Sequence, residues 1–223
     1  MTPSFPLPSG RLALCPSVLS ADFTCLKGSL ARVSGNSDWM HVDVMDGRFV
    51  PNISFGPVIV PAVLRAGGLP ADSHLMVENP AMFIAPFAKA GASLITIHAE
   101  ARGAAACLRQ IKALGLKAGM SLRPKTPLSR ALPYLRQLDL LLIMTVEPGF
   151  GGQAFMADML PKVRAARAAI VKAGRPVWLQ VDGGINADTA AAAVAAGADA
   201  LVIGSALFSA RNPAAMLKGL RKI

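Results

Sequence analysis

Trp39-Met40-His41-Val42-Asp43-Val44-Met45-Asp46-Gly47 has the composition of a buried strand, Trp39 to Val44, that runs into an Asp-Gly turn. His41 and Asp43 stand two residues apart, so both side chains leave the same face of that strand. A buried imidazole and carboxylate on one face are costly unless something satisfies them. A hydrogen bond between the two would do so, and so would a shared metal ion. The stretch alone leaves both readings open.

Short β-rich runs and Ala-rich helical runs alternate outward from this strand in both directions, the pattern of parallel βα units. Strands are expected at Leu12–Cys15, Trp39–Val44, Asp72–Val77, Ser93–His98, Lys117–Leu122, Leu140–Thr145, Val177–Val181 and Ala200–Ile203. A helix is expected after each, with Asp22 as an N-cap and Asn79-Pro80 as a helix start. Eight strands with eight helices predict a single (β/α)8 TIM barrel with its site at the C-terminal mouth of the strands. Closure would bring polar strand ends that are far apart in sequence to one axis. No break in composition divides the chain. Residues 1–10 are expected to be a flexible Pro-rich leader and residues 11–223 the barrel.

The 223 residues are 53% hydrophobic and 16% charged, which is a globular composition, and no apolar run is long enough for a membrane span. The leader lacks the basic start and apolar core of a secretory signal, so a cytoplasmic location is expected. Cys15, Cys25 and Cys107 are odd in number and widely spaced, and read as small buried hydrophobes. The net charge of +10 raises the question of nucleic acid. Its Lys and Arg residues are dispersed and aromatics make up only 5%, which favours solvated helix faces instead. A positive field of this kind would draw an anionic small molecule toward a cleft.

His74, in Ser73-His74-Leu75-Met76-Val77, and Asp182, in Val181-Asp182-Gly183-Gly184-Ile185-Asn186, join His41 and Asp43 at expected strand ends. Two imidazoles and two carboxylates form a mixed donor set suited to zinc, iron, manganese or cobalt. Three glycine-rich turns follow strands six, seven and eight: Glu147-Pro148-Gly149-Phe150-Gly151-Gly152-Gln153, Asp182-Gly183-Gly184, and Gly204-Ser205. Backbone N–H groups at such turns can approach an anion closely, so a phosphate site is expected on that rim. Met45, Met76 and Met144 stand near three strand ends and read on spacing alone as core.

These motifs, together with Cys15-Pro16-Ser17-Val18-Leu19-Ser20-Ala21-Asp22-Phe23, Phe49-Val50-Pro51-Asn52 and Met144-Thr145-Val146, closely resemble the ribulose-phosphate 3-epimerase family from about Leu12 to the C-terminus. The resemblance implies a (β/α)8 barrel, an isomerase of carbohydrate metabolism that interconverts D-ribulose 5-phosphate and D-xylulose 5-phosphate in the pentose phosphate pathway. It implies one divalent metal ion per subunit, zinc first and iron, manganese or cobalt as alternatives, held by His41, Asp43, His74 and Asp182. Asp43 and Asp182 would also be the catalytic acid/base pair, working through a cis-enediolate walled by Met45, Met76 and Met144. Ser17, His74 and Asp182 match sugar-contacting positions, and Gly149, Phe150, Gly151, Gly152, Gly183, Gly184, Gly204 and Ser205 match the phosphate side. A homo-oligomer, dimer or hexamer, is implied as well.

Two departures from the family pattern bear on specificity. Arg123-Pro124-Lys125-Thr126-Pro127 replaces an Asn-Pro pair and is expected to bring a guanidinium near the mouth, and Arg48 replaces a usual histidine. An epimerase of another ketose phosphate, such as D-allulose 6-phosphate or a tetrulose phosphate, is therefore an alternative. A non-catalytic phosphate- or nucleic-acid-binding barrel is a second. A decarboxylase of the orotidine-phosphate type would need a lysine in an Asp-x-Lys-x-x-Asp array, where this chain has Met45.

Overall fold

The computed structural model describes residues 3–223. Eight parallel strands form one sheet: β1 (Ala13–Pro16), β2 (Met40–Met45), β3 (Ala71–Met76), β4 (Leu94–His98), β5 (Lys117–Leu122), β6 (Leu140–Met144), β7 (Trp178–Asp182) and β8 (Ala200–Ile203). They are ordered β1-β8-β7-β6-β5-β4-β3-β2, and a parallel bridge between Ser17 and His41 brings the two ends of the sheet together as a barrel. The expected strands are all present, each within about a residue of its anticipated bounds.

The helices are α1 (Leu26–Ser34), α2 (Ile59–Gly67), α3 (Ala81–Ala90), α4 (Ala104–Ala113), α5 (Leu160–Ala173), α6 (Ala187–Ala195), α7 (Ser205–Phe208) and α8 (Pro213–Leu220). Their distribution corrects the expectation of one helix per strand. Between β5 and β6 there are only short 3-10 turns, Leu128–Arg130 and Leu132–Gln137, while two helices follow β8. Pro124, Pro127 and Pro133 punctuate that connection, and each removes a backbone donor that a continuous α-helix would need. The chain enters α1 through a 3-10 turn, Phe23–Cys25, where the Asp22 carboxylate accepts the Thr24 N–H at 2.9 Å.

Strand alternation divides the interior in two. Outward-facing Leu14, Val42, Val44, Leu75, Ile95, Ile97, Leu141 and Leu201 pack under the helices, whereas Cys15, Leu94, Leu142, Trp178 and Val202 fill the barrel itself. Above this filling, the same inward parity delivers Ser17, Asp43, His74, His98, Met144 and Asp182 to the C-terminal end.

Residues Pro3 to Pro6 of the expected leader lie against the opposite end of the barrel. Phe5 is 6% exposed and packs on Trp39 with ring centroids 4.7 Å apart. Pro6 O accepts the Trp178 indole N–H at 2.9 Å, and Pro3 O accepts the Ser93 hydroxyl at 3.0 Å. The wide Trp39 and Trp178 rings leave an apolar floor that Phe5 covers, a pairing that a list of Pro and Ser residues does not reveal. Met1 and Thr2, also part of the expected leader, lie outside the described residues. Cys15 and Cys107 are buried as expected, whereas Cys25 is exposed at the turn into α1.

Candidate metal centre and sugar-phosphate cavity

His41 and Asp43 stand on β2, His74 on β3 and Asp182 at the end of β7. The β2–β3 register places Asp43 beside His74. One ligand atom from each of the four residues lies within 4.8 Å of the others. His41 Nε2 is 3.2 Å from both Asp43 Oδ1 and His74 Nδ1, and His74 Nδ1 is 3.2 Å from Asp43 Oδ1. Asp182 Oδ2 is 3.9 Å from His41 Nε2 and 4.0 Å from His74 Nδ1. Two ring nitrogens with two carboxylate oxygens, all but Asp182 buried, form a donor set of the size and chemistry that a divalent cation takes. The group fits a metal ion.

The charges here perturb one another. Burial pushes Asp182 up to about 6, and the neighbouring Asp43 carboxylate adds to the shift. Asp43 is driven the other way: against burial, His41 and His74 hold its carboxyl well below the usual carboxylate range. Burial would lower His41, but Asp43 and Asp72 outweigh it and raise the imidazole well above its ordinary value. Two like carboxylates with opposite shifts are a mark of a functional centre.

Each of the four residues is held by neighbours, Asp182 through its backbone. The Ser17 hydroxyl donates to Asp43 Oδ2 at 2.6 Å, and Ser54 accepts the Met45 N–H while donating to Asp43 O. Thr145 clamps the end of β7, its N–H and hydroxyl donating to Asp182 O at 2.7 and 3.0 Å. His41 Nδ1 faces Asp72 Oδ2 at 3.0 Å, and Asp72 Oδ1 accepts the Thr96 hydroxyl at 2.9 Å. His74 Nε2 faces His98 Nε2 at 2.9 Å, and His98 Nδ1 faces Glu100 Oε2 at 3.3 Å. Burial pushes His98 down to about 4 even with Glu100 beside it, so this ring is neutral near pH 7.

Sequence reasoning assigned no role to Asp72, Thr96, His98 or Glu100. A period-two signal existed for the first three: Asp72 precedes His74 by two residues, and Thr96 and His98 are two apart at a strand end. Asp46, by contrast, stays outside the cluster, accepting the N–H groups of Arg48, Phe49 and Glu78 to shape the loop after β2.

A cavity of about 330 Å³ opens above the four residues. Its wall contains Asp43, Asp182 and Ser17, the methionines Met45, Met76 and Met144, and the turns Gly149 to Gly152, Gly183-Gly184 and Gly204-Ser205. The three methionines are 2–4% exposed, so they form a dry surface beside the carboxylates. A Cβ on Gly183, whose φ is +121°, would stand 2.5 Å from Val146 Cγ2 and 2.8 Å from Val146 N. One on Gly184, with φ +67°, would meet the Phe155 backbone. Only glycine lets this turn lie against the wall with its amides near the cavity. Asn52 Nδ2 donates to Gly149 O at 2.8 Å and Gln153 Nε2 to Phe150 O at 2.9 Å, which fixes the longest of the turns.

The two departures lie away from this space. Arg123 Nη2 donates to Phe49 O at 2.5 Å and its guanidinium lies 4.0 Å over the Phe49 ring, so it does not line the cavity. The Arg48 side chain is 79% exposed and 3.9 Å from Glu78.

Residues 13–208 match the model of the Ribulose-phosphate 3 epimerase family. The chain belongs to this family. Its relatives include the ribulose-phosphate 3-epimerase of Mycobacterium tuberculosis, 46% identical over 96% of this chain and 93% of that protein. Another is ribulose-phosphate 3-epimerase 1 of Cupriavidus necator, 48% identical over 89% of this chain and 85% of the other. The crystal structure of 3-hexulose-6-phosphate synthase from Salmonella typhimurium shares the fold, with a TM-score of 0.71 at 18% identity, 95% of this chain and 97% of that one being covered. Membership gives the cavity its family context: a barrel epimerase with a His/Asp group that could bind a metal ion. Among the described residues no helix is long and apolar enough to cross a membrane.

Proposed function

We propose that this chain is a divalent-metal-dependent epimerase that inverts C3 of D-ribulose 5-phosphate to give D-xylulose 5-phosphate, and the reverse. The observation that carries the reading is that Asp43 and Asp182 both line one cavity, together with His41 and His74 beneath it. Inversion beside a C2 ketone needs one base to take the C3 proton and one acid to return a proton from the opposite side. Asp43 and Asp182 fill those roles, exchanging them when the direction reverses. His41, Asp43, His74 and Asp182 would hold the ion, with zinc our first candidate and iron, manganese or cobalt next. When bound, it supplies Lewis-acid stabilisation of the negative charge that develops on the substrate oxygens.

The other groups bind, orient and exclude water. Ser17 steadies Asp43, and its hydroxyl faces the sugar. Met45, Met76 and Met144 keep water from the planar cis-enediolate, which would otherwise be quenched without stereochemical control. Amides of Gly149 to Gly152, Gly183, Gly184, Gly204 and Ser205 hold the phosphate. The free thiols Cys15, Cys25 and Cys107 agree with a cytoplasmic setting.

The test is an assay of the purified protein on several ketose phosphates, with Zn2+, Mn2+, Fe2+ or Co2+ added and C3 deuterium exchange as the readout. The pentulose phosphate is expected to turn over fastest, and chelation to abolish exchange. Preference for a hexulose or tetrulose phosphate would overturn the substrate, and full activity of metal-free protein would overturn the metal.

A further inference from the structure

The two imidazoles of the centre are supported in different ways, and the difference has chemical direction. His41 turns Nδ1 to a carboxylate, Asp72, and Nε2 to the centre. His74 is reversed, with Nδ1 at the centre and Nε2 on a second imidazole, His98. His98 then meets Glu100, whose other oxygen accepts the backbone N–H of Arg123 at 3.0 Å. We propose that Glu100 and His98 are positioning residues that act through His74, setting by a one-way chain of hydrogen bonds which of its ring nitrogens is free to bind the metal. The inference rests on the metal centre proposed above.

The direction follows from the chain's far end. A carboxylate can only accept, so His98 carries its proton on Nδ1 and donates to Glu100 Oε2. Its Nε2 is then a lone pair and can only accept, which places the proton of His74 on Nε2. That leaves the His74 Nδ1 lone pair pointing at His41, Asp43 and Asp182. The chain is enclosed: His74 and His98 are 0% exposed, their rings stack at 24° with centroids 4.9 Å apart, and Phe49 packs on His98 at 4.7 Å. Phe49 is in turn pinned by Arg123, so the arginine that departs from the family pattern covers the relay and not the substrate.

Glu100→Gln tests the direction, because the Arg123 N–H is a fixed donor. The Gln oxygen must turn to it, which aims the amide NH2 at His98 Nδ1. The nearby Thr126 hydroxyl can donate or accept and imposes no preference. His98 would then carry its proton on Nε2 and force the His74 proton onto Nδ1, into the metal position. Zn2+ affinity, measured by chelator competition, is expected to fall about 10- to 100-fold, the usual loss when an outer partner of a ligand is removed. His98→Phe should lose as much, and His98→Gln, which restores an acceptor for His74 Nε2–H, should recover most of it. A merely structural role would not separate those two variants.

Nitrogen NMR of the Zn2+-loaded wild type needs no variant: His74 should be bound through Nδ1 with a protonated Nε2. Binding through Nε2, or wild-type Zn2+ affinity in both Glu100→Gln and His98→Phe, overturns the relay while leaving the metal centre standing. No uptake of Zn2+ or another divalent ion by the wild type overturns the metal centre itself, and the relay with it.

Discussion

The two ends of the barrel treat their carboxylates in opposite ways. At the N-terminal end Asp38, Asp139 and Asp199 stand just ahead of β2, β6 and β8. Each accepts a backbone N–H from a neighbouring strand, at Leu14, Ala118 and Leu179 respectively. Each also meets cations: Arg11 and Arg221 at Asp38, Lys112 and Lys117 at Asp139, and Arg167 at Asp199. At the C-terminal end Asp43 and Asp182 have no Lys or Arg within ion-pair reach among the described residues, and face each other and two imidazoles. One rim neutralises its charges within the protein. The other keeps donors grouped for something else to satisfy, and this is where stability and function part company in a barrel.

The largest effect should come from the C-terminal end. Asp182→Asn and Asp43→Asn are each expected to slow C3 proton exchange by about 10²- to 10⁴-fold. Asp182→Asn should not unfold the protein. Because its folded carboxyl is raised to about 6, above the unfolded value, ionisation costs the metal-free fold stability as the pH rises through that value. Melting of metal-free Asp182→Asn above pH 6 should therefore match or exceed that of wild type. A lower melting temperature there would erase the contrast between the rims.

Removing the floor should have the reverse signature. Phe5→Ala deletes a ring that is 6% exposed against Trp39, and should cost about 3 kcal/mol in a denaturant titration. Proton exchange at 25 °C should stay near wild type, since Phe5 is at the far end from the cavity. A large fall in turnover without a fall in stability would join the two ends functionally.

The smallest effect concerns a single staple. Against the upward push of burial, Lys112, the Ala118 N–H and Lys117 hold the Asp139 carboxyl below its ordinary value. Its contribution is therefore present above the unfolded value of about 4 and lost as the pH falls through the lower folded one. Asp139→Asn should cost about 1–3 kcal/mol at neutral pH. The gap from wild type should close below about pH 4 in acid titrations followed by circular dichroism. A gap independent of pH would assign Asp139 to packing and not to charge.

Much of this was legible along the chain because period-two alternation and glycine turns are local signals. Each strand, and the inward face of His41, Asp43, His74 and Asp182, can be read from such signals. The irregular β5–β6 connection was less so, since its prolines exclude a helix without specifying what replaces it. Phe5 was hidden because burial of a terminal residue depends on a floor made by Trp39 and Trp178, 34 and 173 positions away. Asp72 and His98 carried the right parity, but parity does not say which polar neighbours across three strands will touch.

By itself, then, the sequence determined the barrel, its inward set of polar strand ends and the family to which they belong, because strand period and turn chemistry act over a few residues. Only the tertiary structure decided that four of those ends converge within 4.8 Å, and that Arg123 is drawn to Phe49 and away from the cavity. It alone set Asp72 behind one imidazole and His98 with Glu100 behind the other. These are contacts between strands, governed by register and by which buried donors and acceptors must pair, and no single segment contains that information.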